Sequence, residues 1–147
     1  MKLKKRSDAN SRQKPPESPT LFLDRSLGKK TVAEVLRNAG SKVEVHDDHF
    51  AQDATDETWL TVVGKRGWIV LTKDRRIRFR VIERAALINA GVRAFVLTAG
   101  DINGAAMAAV FVKALPKIFR FSAKYASPFI ATISKTGSVT MLQKFMN

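Results

Sequence analysis

Two aspartates in this sequence directly follow short apolar runs. Asp24 follows TLFL at 20–23, and Asp74 follows IVLTK at 69–73. If these runs are neighbouring parallel strands, both carboxylates emerge at the same edge of a sheet. Like charges this close raise one another's pKa and destabilise the fold unless a cation lies between them. The pair therefore predicts a site for Mg²⁺ or Mn²⁺, which prefer oxygen ligands.

A second pair of acids, Asp56 and Glu57, lies in the first turn of a predicted helix at 55–66. A helix that precedes the Asp74 strand by a short turn must begin near the edge where that strand ends, which brings Asp56 toward Asp74. Both pairs also have a structural explanation, since acids suit a helix N-terminus and an aspartate after a strand can simply form a turn.

Positive charge surrounds the end of the Asp74 strand. Such arginines can bind the phosphates of a nucleic acid held at the carboxylates, or can instead face water or pair with the acids of 44–57. Thr72 can donate a hydrogen bond to a carboxylate or a phosphate, although a β-branched residue also suits a strand. The candidate nucleic-acid contacts are Arg75, Arg76, Arg78, Arg80 and Thr72, with Arg84 beyond them.

The elements that must position these residues alternate between strand and helix from residue 20 to about 118. This order predicts an α/β fold with a mainly parallel sheet between helical layers. A β-hairpin is expected at the end of the chain, at 128–142. The predicted strands are 20–24, 42–46, 67–74 and 94–99, and the predicted helices are 29–40, 55–66, 75–91 and 105–121.

Details of the helices follow from capping residues and from spacing. Asp53 or Thr55 is expected to cap the helix at 55–66, with Gly64 and Gly67 bracketing its end. Pro116 is expected to bend or end the last helix. The helix at 75–91 is expected to place Ile77, Val81, Ala85 and Ile88 roughly on one side.

Composition points to a polyanionic partner. The 147 residues carry a formal net charge of +13, with a pI near 10.5, and contain no cysteine. The acids are segregated, because eight fall between residues 24 and 57 and none between 102 and 147. We expect one domain at 20–147, a flexible basic tail at 1–19 and a cytoplasmic protein without a membrane segment. The loop motif HDDH at 46–49 is a weaker candidate for a metal cluster.

These residues carry a resemblance to a known family. Asp24 after TLFL, followed by DETWLTVVGKRGWIVLTKD at 56–74, resembles the PIN-domain ribonucleases, among them the VapC-type toxins. The resemblance covers roughly residues 20–110 and implies a three-layer α/β/α sandwich. It also implies an Mg²⁺- or Mn²⁺-dependent endoribonuclease that leaves a 3′-hydroxyl and a 5′-phosphate.

The resemblance assigns roles to individual acids. It implies that Asp24, Asp56 and Asp74 are catalytic metal ligands. The family usually has a further glutamate on an intervening helix, for which Glu34 and Glu57 are both candidates. It also implies an RNA substrate and a cognate antitoxin protein, and it leaves the oligomeric state open, a homodimer being one option. The alternatives are a non-catalytic nucleic-acid-binding module of similar fold and a structure-specific DNA nuclease.

Overall fold

Six strands form a single sheet in the computed structural model, which describes residues 19–145. The strand order is β2-β1-β3-β4-β5-β6, and all neighbours are parallel except β5 and β6. The predicted α/β fold and its C-terminal hairpin are confirmed. The strands are β1 (Leu21–Leu23), β2 (Val43–Val45), β3 (Ile69–Thr72), β4 (Arg93–Leu97), β5 (Phe129–Ile133) and β6 (Val139–Lys144).

Four α-helices cover the two faces of this sheet. They are α1 (Thr31–Asn38), α2 (Asp56–Lys65), α3 (Val81–Ala90) and α4 (Gly104–Lys124). Helices α1 and α4 bury one face of the sheet, including Leu23 and Phe95, whereas α2 and α3 bury the other, including Phe22 and Val70. Because alternate residues of a strand point to opposite faces, the almost continuous apolar strands supply both cores. The result is a three-layer α/β/α sandwich.

Gly64 and Gly67 bracket the end of α2 at Lys65, as predicted. A Cβ atom on Gly64 would lie 2.6 Å from the Cβ of Ala90 and 2.7 Å from Cγ2 of Val92. Gly64 therefore allows α2 to approach the end of α3 closely. Thr55 caps the start of α2, and its hydroxyl accepts the N–H of Thr58 at 3.2 Å.

The helix predicted at 75–91 begins only at Val81, and this prediction was wrong at its start. The Asp74 carboxylate accepts the backbone N–H of Arg76 at 3.1 Å, and consecutive turns continue to residue 79. Arg80 is extended and precedes the first helical residue. The predicted face is confirmed only in part: Ile77 is buried and Ile88 is half-buried, but Val81 and Ala85 are exposed. The buried residues of α3 are Ala86 and Leu87.

Pro116 neither ends nor interrupts α4, which continues for two further turns to Lys124. The flanking residues Leu115 and Ile118 are buried against the sheet. Packing along the apolar face of this 21-residue helix offsets the hydrogen bond that a proline cannot donate.

Part of the expected tail lies outside the described residues, because it covers residues 1–19 and the description begins at residue 19. Between residues 19 and 145, no helix is both long and apolar enough to cross a membrane.

Candidate active site

Asp24 is a buried carboxylate at the carboxyl end of β1. The residue as a whole is 7% exposed. Its Oδ1 atom accepts the backbone N–H of Ser26 at 3.0 Å and also the Ser26 hydroxyl, and its Oδ2 atom accepts the Thr72 hydroxyl at 2.6 Å. Burial raises the pKa of Asp24 and the nearby charge of Asp74 raises it further, whereas the hydrogen bonds from Ser26 and Thr72 oppose this increase.

Asp74 lies at the same edge of the sheet. Strands β1 and β3 are parallel, with Leu23 opposite Leu71, so the segments that follow them emerge together. The backbone N–H of Asp74 donates to the Thr72 hydroxyl at 3.0 Å, and this hydroxyl is the same group that donates to Asp24. A single threonine side chain therefore links the two aspartates.

Asp56 joins this edge from the first turn of α2. Its Oδ1 atom accepts the Trp59 indole N–H at 2.8 Å and forms an ion pair with Arg25 at 2.7 Å. Arg80 bridges two carboxylates, since its Nη1 atom lies 2.8 Å from Asp74 Oδ2 and 3.4 Å from Asp56 Oδ2. The short α2–β3 connection thus brings Asp56 toward Asp74, as predicted.

The three aspartates line one cavity of about 680 Å³. Ser26 also lines it, and the remaining lining side chains are cationic: Arg25, Lys73, Arg75, Arg76 and Arg80. Five cations against three carboxylates leave the cavity with an excess of positive charge at neutral pH. Such a site can attract a phosphodiester while keeping oxygen ligands at its centre.

The predicted nucleic-acid contacts fall into different environments. Arg76 is 76% exposed and lies 3.7 Å from Asp74, and Arg75 donates to the carbonyl of Thr98 at 2.6 Å. Arg78 stacks over Phe79, with its guanidinium carbon 4.4 Å from the ring centre, and it is not among the residues that line the cavity. Thr72 is fully buried, so its side chain supports Asp24 and is not open to a phosphate.

Neither glutamate offered as a further ligand lines the cavity. Glu34 lies on the exposed side of α1, and Glu57 is exposed in the first turn of α2 beside Asp56. Both positions leave the carboxylate in solvent. Coordination by either glutamate therefore stays a prediction with no support from its position.

The carboxylate oxygens of the three aspartates are of the type that binds a divalent cation, but the side chains do not form a close cluster. Within residues 19–145, no group of three or more His, Cys, Asp or Glu side chains is close enough to hold a metal ion. The cation between Asp56 and Asp74 is the guanidinium of Arg80. Carboxylate and hydroxyl oxygens are nevertheless the ligands that Mg²⁺ and Mn²⁺ prefer, so Asp24, Asp56 and Asp74 are the residues that would hold one.

The HDDH loop does not form a metal cluster. His46 is buried and its Nδ1 atom lies 3.0 Å from Asp47, whereas His49 pairs with Glu44 at 2.6 Å. The hydrogen bond from His46 lowers the pKa of Asp47. The two histidines therefore have separate partners.

Sequence reasoning missed three residues of the cavity: Arg25, Ser26 and Lys73. An aspartate side chain often accepts the backbone N–H of the residue two positions later, whatever that residue is. That pattern would have indicated Ser26. Arg25 and Lys73 flank the aspartates in sequence, but nothing in the sequence shows that they point into the site.

Comparison with known proteins supports the resemblance. Residues 19–99, more than half of the chain, match the model of the family described as "PIN like domain". The chain belongs to this PIN-like family. It is also 33% identical over 126 residues to a Mycobacterium tuberculosis protein named "Putative ribonuclease VapC45", which covers 83% of this chain and 91% of that protein. No solved structure matches the chain significantly. In this PIN-like chain, Asp24, Asp56 and Asp74 lie at the carboxyl edge of the sheet.

Proposed function

We propose that this PIN-like protein is a metal-dependent endoribonuclease that acts as the toxin of a toxin–antitoxin pair. The observation that carries the proposal is the convergence of Asp24, Asp56 and Asp74 on one cavity walled by cationic side chains. The name of the mycobacterial relative supports RNA as the substrate and a toxin role.

The chain's own residues bind and orient the substrate. Arg75, Arg76 and Lys73 present positive charge at the mouth of the cavity, where phosphates of a single strand can pair with them. A divalent cation bound by the three aspartates would supply Lewis-acid polarisation of the phosphate and lower the pKa of a bound water. Ser26 and Thr72 fix the orientation of Asp24 through hydrogen bonds to both of its oxygens.

Arg80 has two partners and can therefore exchange them. Its guanidinium pairs with both Asp56 and Asp74. With a divalent cation held by these two carboxylates, the Arg80 guanidinium would be available to bind a phosphate oxygen. Arg25 pairs with Asp56 and can exchange this carboxylate for a phosphate oxygen in the same way.

An exposed apolar surface beside the cavity fits the proposed antitoxin. Phe79, Val81 and Ile82 are 66%, 71% and 61% exposed, and they flank Arg80 in sequence. Large apolar side chains that are grouped and exposed are typical of protein interfaces. A partner that covered them would also close the cavity, and burial of this surface would supply much of its affinity.

The decisive experiment titrates Mg²⁺ and Mn²⁺ into purified protein with a labelled single-stranded RNA pool. Asp74→Asn is run in parallel, with Asp101→Asn, an exposed residue in a bend, as the matched control. We expect metal-dependent cleavage by the wild type and the control only. RNA binding without cleavage would instead assign a binding module, and preferential cleavage of competing DNA would assign a DNA nuclease.

A further inference from the structure

A second cationic pocket lies between the last two turns of α4 and the edge strand β6. Its volume is about 620 Å³. The residues that line it include Lys117, Arg120, Lys124, Phe121, Tyr125 and Val139. None of them lines the carboxylate cavity. Strand β6 is three strands from β3, or roughly 14 Å across the sheet at about 4.8 Å per strand.

The cations of this α4–β6 pocket have no carboxylate to neutralise them. Residues 102–147 contain no acid, and Lys117, Arg120 and Lys124 form no ion pair with any residue between 19 and 145. In the carboxylate cavity, by contrast, Arg25 and Arg80 are both paired. The uncompensated charge of the α4–β6 pocket is therefore available to an external anion.

The pocket also contains an anchored aromatic ring. Tyr125 is partly exposed and packs against Phe121, with ring centres 4.6 Å apart. Phe121 in turn contacts the core rings Phe95 and Phe129 at 5.9 and 5.4 Å. Tyr125 is thus a platform fixed to the core, and nucleobases stack on such platforms whatever their sequence.

Two lysines lie close to the same ring. The ammonium groups of Lys124 and Lys144 are 5.2 and 5.8 Å from the centre of Tyr125. A cation–π contact at an exposed site contributes only about 0.5–1 kcal/mol. A base that stacks on Tyr125 can therefore displace either ammonium, which can then pair with the adjoining phosphate.

We infer that the α4–β6 pocket is a second binding site for single-stranded RNA, with Tyr125 stacking a base and Lys117 and Arg120 binding phosphates. The inference takes RNA as the ligand from the proposed function. Its role is to hold a part of the RNA that is remote from the bond that is cut. The combination of an aromatic platform with unpaired cations favours RNA over an acidic polypeptide, which would use the charge but not the ring.

The test measures the affinity of a fluorescein-labelled single-stranded RNA by anisotropy in EDTA, over a range of salt concentrations. The double variant Lys117→Gln/Arg120→Gln should make the salt dependence shallower by about 1.4 in the slope of log K against log salt, or about 0.7 for each phosphate contact. Tyr125→Leu should weaken binding by about fivefold or more without changing that slope.

The matched control is Lys65→Gln/Arg66→Gln, which removes the same charge from exposed residues at the end of α2. Equal losses in the two double variants would mean attraction by net charge alone and would overturn the inference. Two further results together would also overturn the inference: normal RNA binding by the Tyr125→Leu variant, and weaker binding of a polyglutamate competitor to the Lys117→Gln/Arg120→Gln variant. The pocket would then suit an acidic polypeptide.

Cleavage by the same proteins, measured with Mn²⁺, separates this inference from the proposed function. Wild-type RNA affinity in the Lys117→Gln/Arg120→Gln variant, together with normal cleavage, would refute the pocket and leave the nuclease standing. The expected losses of affinity in a protein that never cleaves RNA would support the pocket and refute the nuclease.

Discussion

Two regions of this protein differ in how their positively charged side chains are paired. At the carboxyl edge of β1 and β3, Arg25 and Arg80 are paired with Asp56 and Asp74. In α4 and β6, an acid-free region, the lysines and arginines have no such partners among the described residues. Cations paired with carboxylates fix the positions of those carboxylates, whereas unpaired cations are available to attract an external anion. Under the two proposals made above, the segregation of acids in the sequence would separate a site for chemistry from a surface for binding.

The largest effect is expected for Asp24→Asn. On the proposed function Asp24 is a metal ligand, so this change should reduce cleavage by more than about 100-fold, the upper range for loss of a residue that only supports a ligand. The same change should raise the Tm in metal-free buffer at pH values above the folded pKa of Asp24, because there it removes a buried charge. Cleavage of labelled RNA and a thermal melt in EDTA measure the two effects.

The gain in stability from Asp24→Asn should depend on pH with a definite sign. The pKa of Asp24 is raised on folding, so the wild-type free energy of unfolding decreases as pH rises from the ordinary aspartate value of 3.8 through the higher folded value. The advantage of asparagine should therefore grow as pH rises through the folded pKa of Asp24, and shrink toward pH 4. A constant difference in Tm across this range would show that burial does not shift the pKa.

Thr72→Val tests the hydroxyl that links the two aspartates. Without the hydroxyl, the buried Asp24 carboxylate and the part-buried Asp74 N–H each lose a hydrogen-bond partner. The free energy of unfolding should decrease by about 1–3 kcal/mol. Urea unfolding measures it. The control lies in the acid-free region: Thr132→Val removes only a weak 3.5 Å contact to the carbonyl of Thr140, and should cost less than about 0.5 kcal/mol.

Arg80→Gln should raise the affinity for Mn²⁺ by about tenfold in the absence of RNA, because it removes the cation that bridges Asp56 and Asp74. Isothermal titration calorimetry measures this without any cleavage. Arg78→Gln is the control, since its guanidinium lies over Phe79 and away from the carboxylates. Unchanged Mn²⁺ binding in Arg80→Gln would mean that the guanidinium does not compete with the metal.

The sequence was sufficient for the parts of the fold that depend on local patterns. Buried runs such as TLFL and IVLT predicted β1 and β3, and the aspartates that follow them predicted the edge where the site lies. It was misleading in two places. The turns after Asp74 begin with a local hydrogen bond from the Arg76 N–H to the Asp74 carboxylate, which interrupts the predicted helix. Pro116 is tolerated because of a tertiary contact, the packing of α4 against the sheet. Pairing of Arg25 with Asp56 joins residues 31 positions apart, which no local pattern reveals.

The smallest effect is expected for Glu34→Gln and Glu57→Gln. Both side chains are exposed and neither lines the cavity, so cleavage should stay within about twofold of the wild type. Glu57 is the sharper case, since it is adjacent to Asp56 but points into solvent. A large loss in Glu57→Gln, with unchanged Tm, would show that the first turn of α2 shifts when metal binds and recruits Glu57. Metal binding would then complete the site by bringing Glu57 into it.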